Sequence, residues 1–157
     1  MNKKILIMGL PGAGKTMLAH ALKEKLKAVH WNADEVRARI NNHLGFSEAD
    51  RIEQARRMGW LCDKVVEAGQ WAIADFICPT PATRAAFGPA TVIWVDTIKQ
   101  GRFEDTNKLF VPPEPGQYDY LVTSQDALFW SKYIYEHLDF QHRPTWLKAM
   151  LLGLKDG

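Results

Sequence analysis

The sequence carries a phosphate-binding motif close to its start. Residues 9–16 fit the pattern G-x-x-x-x-G-K-[ST]; they are Gly9, Leu10, Pro11, Gly12, Ala13, Gly14, Lys15 and Thr16. In this motif the backbone N–H groups of the loop surround the phosphates of a nucleotide. Lys15 is then expected to reach the β- and γ-phosphates, and the Thr16 hydroxyl to hold Mg²⁺. A chance match in a chain of this length is well under ~1%, so the motif predicts nucleotide binding.

Charged residues further along the chain could act on a second substrate. Asp34 and Arg37 are three residues apart at the start of a predicted helix, so they share one face. Phosphoryl transfer needs cations and often a carboxylate that takes the acceptor's proton, and Asp34 is the candidate for it. Its alternative role is an acid favoured by the helix dipole. Arg51 and Gln54 lie one turn apart on a later helix, where the sequence alone favours a solvated face.

The elements that must position these residues alternate between strands and helices. Apolar runs predict five strands, at residues 4–8, 28–31, 71–74, 91–95 and 120–123. Helical periodicity covers residues 17–27, capping-box patterns predict helix starts at Asn32 and Ser47, and a last helix begins near Gln125. The alternation predicts an α/β fold with a mainly parallel five-stranded sheet and helices on both faces, hence three layers. Ligands of such sheets bind beyond the carboxyl ends of the strands, where we expect Gly9, Asp34, Asp75 and Asp96.

The composition is that of an ordinary globular protein. The chain has 157 residues, 46% hydrophobic and 24% charged, which predicts one domain over residues 1–157. Its net charge of +2 argues against a dedicated nucleic-acid binder. Cys62 and Cys78 lack metal-binding spacing, and no disulfide is expected. We see no signal sequence and no apolar window of membrane-spanning length, so a cytoplasmic protein without a membrane partner is expected.

Three further segments have a recognisable pattern: residues 32–37 (NADEVR), 44–51 (LGFSEADR) and 76–79 (FICP), followed by VDT at 95–97. Together they resemble the adenylylsulfate (APS) kinases. The family carries DGDNVR-like, LGFSxADR and FISP segments and then VDT, so the likeness covers roughly residues 4–97 in the same order and spacing. It implies a P-loop kinase fold. It also implies ATP-dependent phosphorylation, with Mg²⁺, of the ribose 3′-hydroxyl of adenosine 5′-phosphosulfate, which gives PAPS.

The resemblance also implies roles for single residues on the acceptor side. Asp34 falls on the family's acceptor-side acid, and Arg37 and Arg51 fall on arginines that bind the substrate's anionic groups. Phe46 falls on the aromatic residue that stacks on the substrate adenine. Considered without the family, Phe46 could equally be a hydrophobic staple that packs on the following helix.

Other positions in the acceptor-binding pocket that the resemblance implies match the family or depart from it. Gln54 occupies the position of a substrate-contacting Asn, and Ile77 lines the pocket. Asn32 replaces the first acid of DGD, and Cys78 replaces the serine of FISP, which is phosphorylated in some members. Asp75 stands where the family has a small or hydroxyl residue. It could join Thr16 and Asp34 on Mg²⁺ as a Walker-B-like acid, or equally cap a loop.

Residues 98–116 form a shorter lid and substrate clamp than the family has. Within them, Arg102 and Lys108 could supply cations at the transition state, as lid arginines do in kinases. Phe110 could be the second ring of an aromatic sandwich. The short clamp leaves the acceptor open, and another nucleotide or nucleotide-linked small molecule is the alternative.

Two other classes of protein share the phosphate-binding motif. A GTPase-like switch would add D-x-x-G and N-K-x-D motifs, which are missing, whereas a catalytically weak nucleotide-binding scaffold stays possible.

Residues 125–157 are predicted to form a helix that covers the sheet and a short apolar tail at 149–154. The tail could dock on the core, form an interface such as that of a homodimer, or be the stub of a fused domain.

Overall fold

The computed structural model describes residues 2–156 and is organised around one five-stranded sheet. The strand order is β2-β3-β1-β4-β5, with β1 Lys4–Met8, β2 Val29–Asn32, β3 Ala72–Asp75, β4 Thr91–Val95 and β5 Tyr120–Val122. All four pairings are parallel. The predicted α/β fold with a parallel sheet is therefore confirmed, and strand bounds differ from the predicted ones by one residue at most.

Helices cover both faces of the sheet. They are α1 Lys15–Leu26, α2 Ala33–Arg39, α3 Glu48–Glu67, α4 Pro81–Phe87, α5 Glu104–Leu109, α6 Ala127–Gln141 and α7 Thr145–Asp156. On one face, Ile7 of β1 packs in a cluster with Leu22 of α1 and Ile134 of α6. On the other face, Leu6 packs with residues of α3 and α4. Since β1 is buried on both sides, its sequence is apolar throughout except for Lys4.

Two helix starts that the sequence predicts are present. The Asn32 side chain accepts a hydrogen bond from the Glu35 N–H, and the Ser47 side chain accepts one from the Asp50 N–H. α2 therefore begins directly after β2 and carries Asp34 and Arg37, and α3 begins directly after the loop that carries Phe46. No helix among residues 2–156 is long and apolar enough to cross a membrane.

Candidate functional site

The loop between β1 and α1 has a backbone that only glycine can adopt at several positions. Gly12 and Gly14 have φ of 87° and 101°, in the left-handed region. At Gly9, φ is 150° and an added Cβ would lie 2.4 Å from the Val95 carbonyl oxygen, so no side chain fits. The close approach of β4 and the left-handed residues fold the loop around the N-terminus of α1, as a phosphate-binding loop requires.

Lys15 is buried at the start of α1 and folds back over the loop. Its Nζ donates a hydrogen bond to the Leu10 carbonyl oxygen at 2.8 Å. Burial lowers the pKa of Lys15 to about 8, although the carboxylates of Asp75 and Asp34 raise it in part and the Arg102 cation lowers it further. A bound phosphate would favour the charged ammonium, so the position suits a nucleotide phosphate.

Asp75 and Thr16 form the group of oxygen ligands that suits Mg²⁺. The Thr16 hydroxyl donates to Asp75 Oδ1 at 3.1 Å, and the Asn32 amide donates to both carboxylate oxygens at 3.1 and 3.3 Å. Mg²⁺ prefers oxygen ligands and usually takes one or two carboxylates together with substrate phosphates. Within residues 2–156 no group of three or more His, Cys, Asp or Glu could hold a metal. The residues therefore fit a metal that nucleotide phosphates help to hold.

On the acceptor side, two arginines converge on one aromatic ring. Arg37 donates to the Gly45 carbonyl oxygen at 2.8 Å, and Arg51 donates to the Phe46 carbonyl oxygen at 3.0 Å. Their guanidinium carbons lie 4.5 and 5.5 Å from the centre of the Phe46 ring. Burial lowers the pKa of both arginines, and the charge of Arg51 lowers the pKa of Arg37 further. Two cations in this position would be stabilised by an anionic ligand.

Phe46 itself is 69% exposed. A hydrophobic staple would be buried against α3, so the exposure favours the other hypothesis, in which the ring stacks on a ligand's base. Asp34 is also exposed, on the first turn of α2, and its charge raises the pKa of both Lys15 and Arg37. The carboxylate is therefore near enough to both cations to stabilise their charge.

The Gln54 side chain of α3 is buried, and its amide forms a hydrogen bond with the start of α2. The side chain is 2% exposed, donates to the Ala33 carbonyl oxygen at 3.3 Å, and accepts from the Asn41 side chain at 2.8 Å. A solvated helix face is therefore wrong for Gln54. The hydrogen bond to Ala33 stabilises the first turn of α2, which carries Asp34, so Gln54 helps to position that turn.

The segment after β3 forms the floor between the two halves of the site. The Ile77 carbonyl oxygen accepts a hydrogen bond from the Gly9 N–H at 3.4 Å. Cys78 is fully buried, and its φ of 47° is in the left-handed region. Burial raises the pKa of the Cys78 thiol to about 12. The thiol is therefore protonated at neutral pH and is a poor nucleophile.

Comparison with known proteins agrees with this arrangement. The sequence profile of the adenylylsulphate kinase family matches residues 1–93. A relative named adenylyl-sulfate kinase from Citrobacter koseri is 33% identical over 159 residues, which cover 93% of this chain and 79% of the relative. The chain belongs to the adenylylsulphate kinase family.

Other adenylylsulphate kinase relatives match over a shorter length. The one from Geotalea daltonii is 43% identical over 96 residues, 55% of this chain and 47% of that protein. The chain thus spans about half the length of that relative. Among solved structures, the Mycobacterium tuberculosis APS kinase CysC in complex with AMPPNP and APS superposes with a TM-score of 0.73 at 21% identity. The superposition covers 88% of this chain and 98% of that one.

The lid lies beyond the part that the adenylylsulphate kinase profile matches. Arg102 and Lys108 are both exposed. Arg102 is close enough to Lys15 to lower the pKa of that lysine. Lys108 Nζ lies 4.0 Å from Glu104 Oε1 on α5. Gly101 packs closely against the phosphate loop, and a Cβ added to it would lie only 2.9 Å from Pro11 Cδ. The lid therefore begins in contact with the phosphate loop.

Phe110, at the end of the lid, packs against the core on the α3–α4 side of the sheet. Arg84 of α4 lies over its ring at 5.5 Å and donates to the carbonyl oxygens of Cys78, Pro79 and Val111. Arg84, which no sequence pattern singled out, thus connects Val111 of the lid to the segment after β3. The Thr80–Thr83 capping box that opens α4 was the signal that could have located Arg84.

A cleft that the sequence analysis did not predict opens beside the phosphate loop. It lies between the start of α1 and the β5–α6 connection and includes Gly14, Met17, Asp126 and Trp130 in its lining. Gln125, which also lines it, donates to the Gly12 carbonyl oxygen at 3.2 Å and so attaches this connection to the loop. An apolar cleft next to a phosphate site suits the base of a nucleotide.

Proposed function

We propose that the protein is an ATP-dependent kinase that phosphorylates the ribose 3′-hydroxyl of adenosine 5′-phosphosulfate, giving PAPS. Beside family membership, one geometric observation carries the proposal: Arg37 and Arg51 converge on the exposed ring of Phe46. Cations next to an exposed ring match an acceptor that has both anionic groups and a base.

The donor nucleotide is assigned to the phosphate loop and the adjoining cleft. The triphosphate would lie on the loop N–H groups with Lys15 at its β- and γ-phosphates, and the adenine would enter the cleft beside Gln125 and Trp130. Thr16 and Asp75, with Asp34 nearby, would hold Mg²⁺, which neutralises charge on the phosphates when bound. These assignments place the γ-phosphate at the carboxyl ends of β1 and β3.

Asp34 is the residue that we assign to proton transfer. Its charge acts on both Lys15 and Arg37, and we assign it to accept the proton of the acceptor hydroxyl as the phosphorus–oxygen bond forms. Arg37 and Arg51 orient the anionic acceptor for this transfer. Arg102, at the start of the lid, is placed to add positive charge near Lys15 as charge moves from the γ-phosphate to the leaving ADP.

A comparison of acceptors tests the proposal. With ATP and Mg²⁺, turnover is measured with APS, with CDP- and UDP-linked compounds, and with free nucleosides. We expect APS to give a kcat/KM at least tenfold above every other acceptor. A higher value for a different nucleotide-linked compound would overturn APS as substrate, and ADP formation that none of these compounds accelerates would overturn transfer to a nucleotide-type acceptor.

A further inference from the structure

Asp75 is a buried carboxylate with an unusually complete set of partners. Its side chain is 2% exposed, and its two oxygens contact Thr16, Asn32 and the Nε2 of His30. A buried charge needs such partners, because removing a carboxylate from water is costly unless hydrogen bonds replace the lost hydration. The contacts also divide its oxygens: Thr16 is on Oδ1, whereas His30 is on Oδ2.

Asp75 and Asn32 are direct neighbours across two parallel strands. They are register partners at the carboxyl ends of β3 and β2. The family segment noted above has an acid at position 32 and a small or hydroxyl residue at position 75, whereas this chain has the amide at 32 and the acid at 75. In this chain the carboxylate at the Thr16 hydroxyl comes from β3, and the Asn32 amide of β2 donates to it.

His30 is the residue whose imidazole contacts this carboxylate. It is on β2, two residues before Asn32, and its side chain is 7% exposed. The ring of His20 on α1 meets it edge-on, with 5.2 Å between the ring centres. With Oδ2 taken by His30, Oδ1 is the oxygen directed toward Thr16 and the phosphate loop.

We propose that His30 is a positioning residue that orients Asp75 toward Thr16, and that Asp75 so oriented acts as the carboxylate for the nucleotide-bound metal. This rests on the proposed use of a metal–nucleotide complex and adds a residue to which no role has been assigned. Partners of this kind that hold a metal-ligating carboxylate change metal affinity by about 10- to 100-fold when removed.

Metal binding measured without any acceptor tests the inference. Mn²⁺ serves as the probe, and its binding to the protein–ADP complex is followed by electron paramagnetic resonance. His30→Leu keeps the buried volume but removes the N–H donor, and we expect it to weaken Mn²⁺ binding at least tenfold. Affinity for ADP without metal should stay within twofold. His30→Gln, which keeps a donor, should restore most of the Mn²⁺ affinity.

A control and a double variant separate positioning from loss of structure. His137 contacts the Tyr120 hydroxyl at the opposite end of the sheet, so His137→Leu should leave Mn²⁺ binding unchanged. His30→Leu should add nothing to Asp75→Asn if His30 acts through Asp75. Unchanged Mn²⁺ affinity in His30→Leu, an equal loss of metal-free ADP binding, or additive effects would each overturn the inference. Because no acceptor is used, these outcomes are independent of whether APS is the substrate.

Discussion

At the scale of single residues, the buried position of Lys15 makes its charge sensitive to pH. Burial lowers the pKa of Lys15 to about 8. Because phosphate binding requires the ammonium, we expect ATP affinity to fall about tenfold per pH unit above pH ~8. Lys15→Arg, which keeps its charge, should show no such fall. Isothermal titration between pH 7 and 9.5 checks this, and a flat wild-type profile would contradict it.

The same pKa shift predicts how stability depends on pH without nucleotide. The folded pKa lies below the ordinary lysine value of 10.5, so between about pH 8 and 10.5 the unfolded chain binds more protons. The contribution of Lys15 to the free energy of unfolding therefore rises with pH over this range.

Phe46 tests the nature of the acceptor. Because its side chain is 69% exposed, Phe46→Ala should leave the melting temperature almost unchanged. Loss of base stacking, worth ~1–3 kcal/mol, should raise the Kd of APS by roughly one to two decades while ATP affinity holds. Trp60→Ala is the matched control, since Trp60 is 55% exposed and carries a lysine 5.6 Å from its ring. Equal effects of the two variants on APS binding would refute stacking.

The chemistry of the site could be predicted from the residue types, whereas the contacts between its side chains could not. The glycines and Lys15 of the phosphate loop follow from a motif whose backbone conformation requires them. Gln54 and His30 could not be assigned in this way, because their roles depend on partners more than ten residues away in sequence.

At the scale of elements, the contact between the lid and the phosphate loop is the feature to test. Gly101→Ala would place a Cβ 2.9 Å from Pro11 Cδ and displace the start of the lid, including Arg102. A misplacement of about 1 Å can cost ~10²-fold, so we expect kcat to fall 10- to 100-fold at an unchanged melting temperature. Gly153→Ala, where a Cβ has open space, is the control. Wild-type kcat in Gly101→Ala would show that this contact has no role in turnover.

Strands and capped helices could be predicted from the sequence, whereas some helices could not. β1 and β4 follow from short apolar runs, and Asn32 and Ser47 from cap spacing. The six-residue α5 is too short for a periodic pattern, and α4 was missed despite its Thr80–Thr83 box. The tail predicted at 149–154 proves to be part of a longer helix, α7, which starts at Thr145 and exposes Trp146 and Met150.

At the scale of the whole molecule, the parallel sheet brings separate segments to one edge. The phosphate loop follows β1, Asp34 and Arg37 follow β2, and Asp75 ends β3, so the family segments meet although they are far apart in sequence. The family profile ends at residue 93, in β4. The lid and the cleft beside α6 are built from the remainder, which is why the sequence predicted the acceptor side in more detail than the rest.

The central claim is that the γ-phosphate of ATP is transferred to the ribose 3′-oxygen of APS. The most direct measurement incubates the wild-type protein with APS, Mg²⁺ and ATP labelled in the γ-phosphate, and locates the label in the product by mass spectrometry and phosphorus NMR. We predict label on the 3′-oxygen of PAPS, and Lys15→Ala, folded as judged by circular dichroism, should form less than a tenth as much. Label on another position or on water, or a Lys15→Ala variant as active as the wild type, would contradict the account.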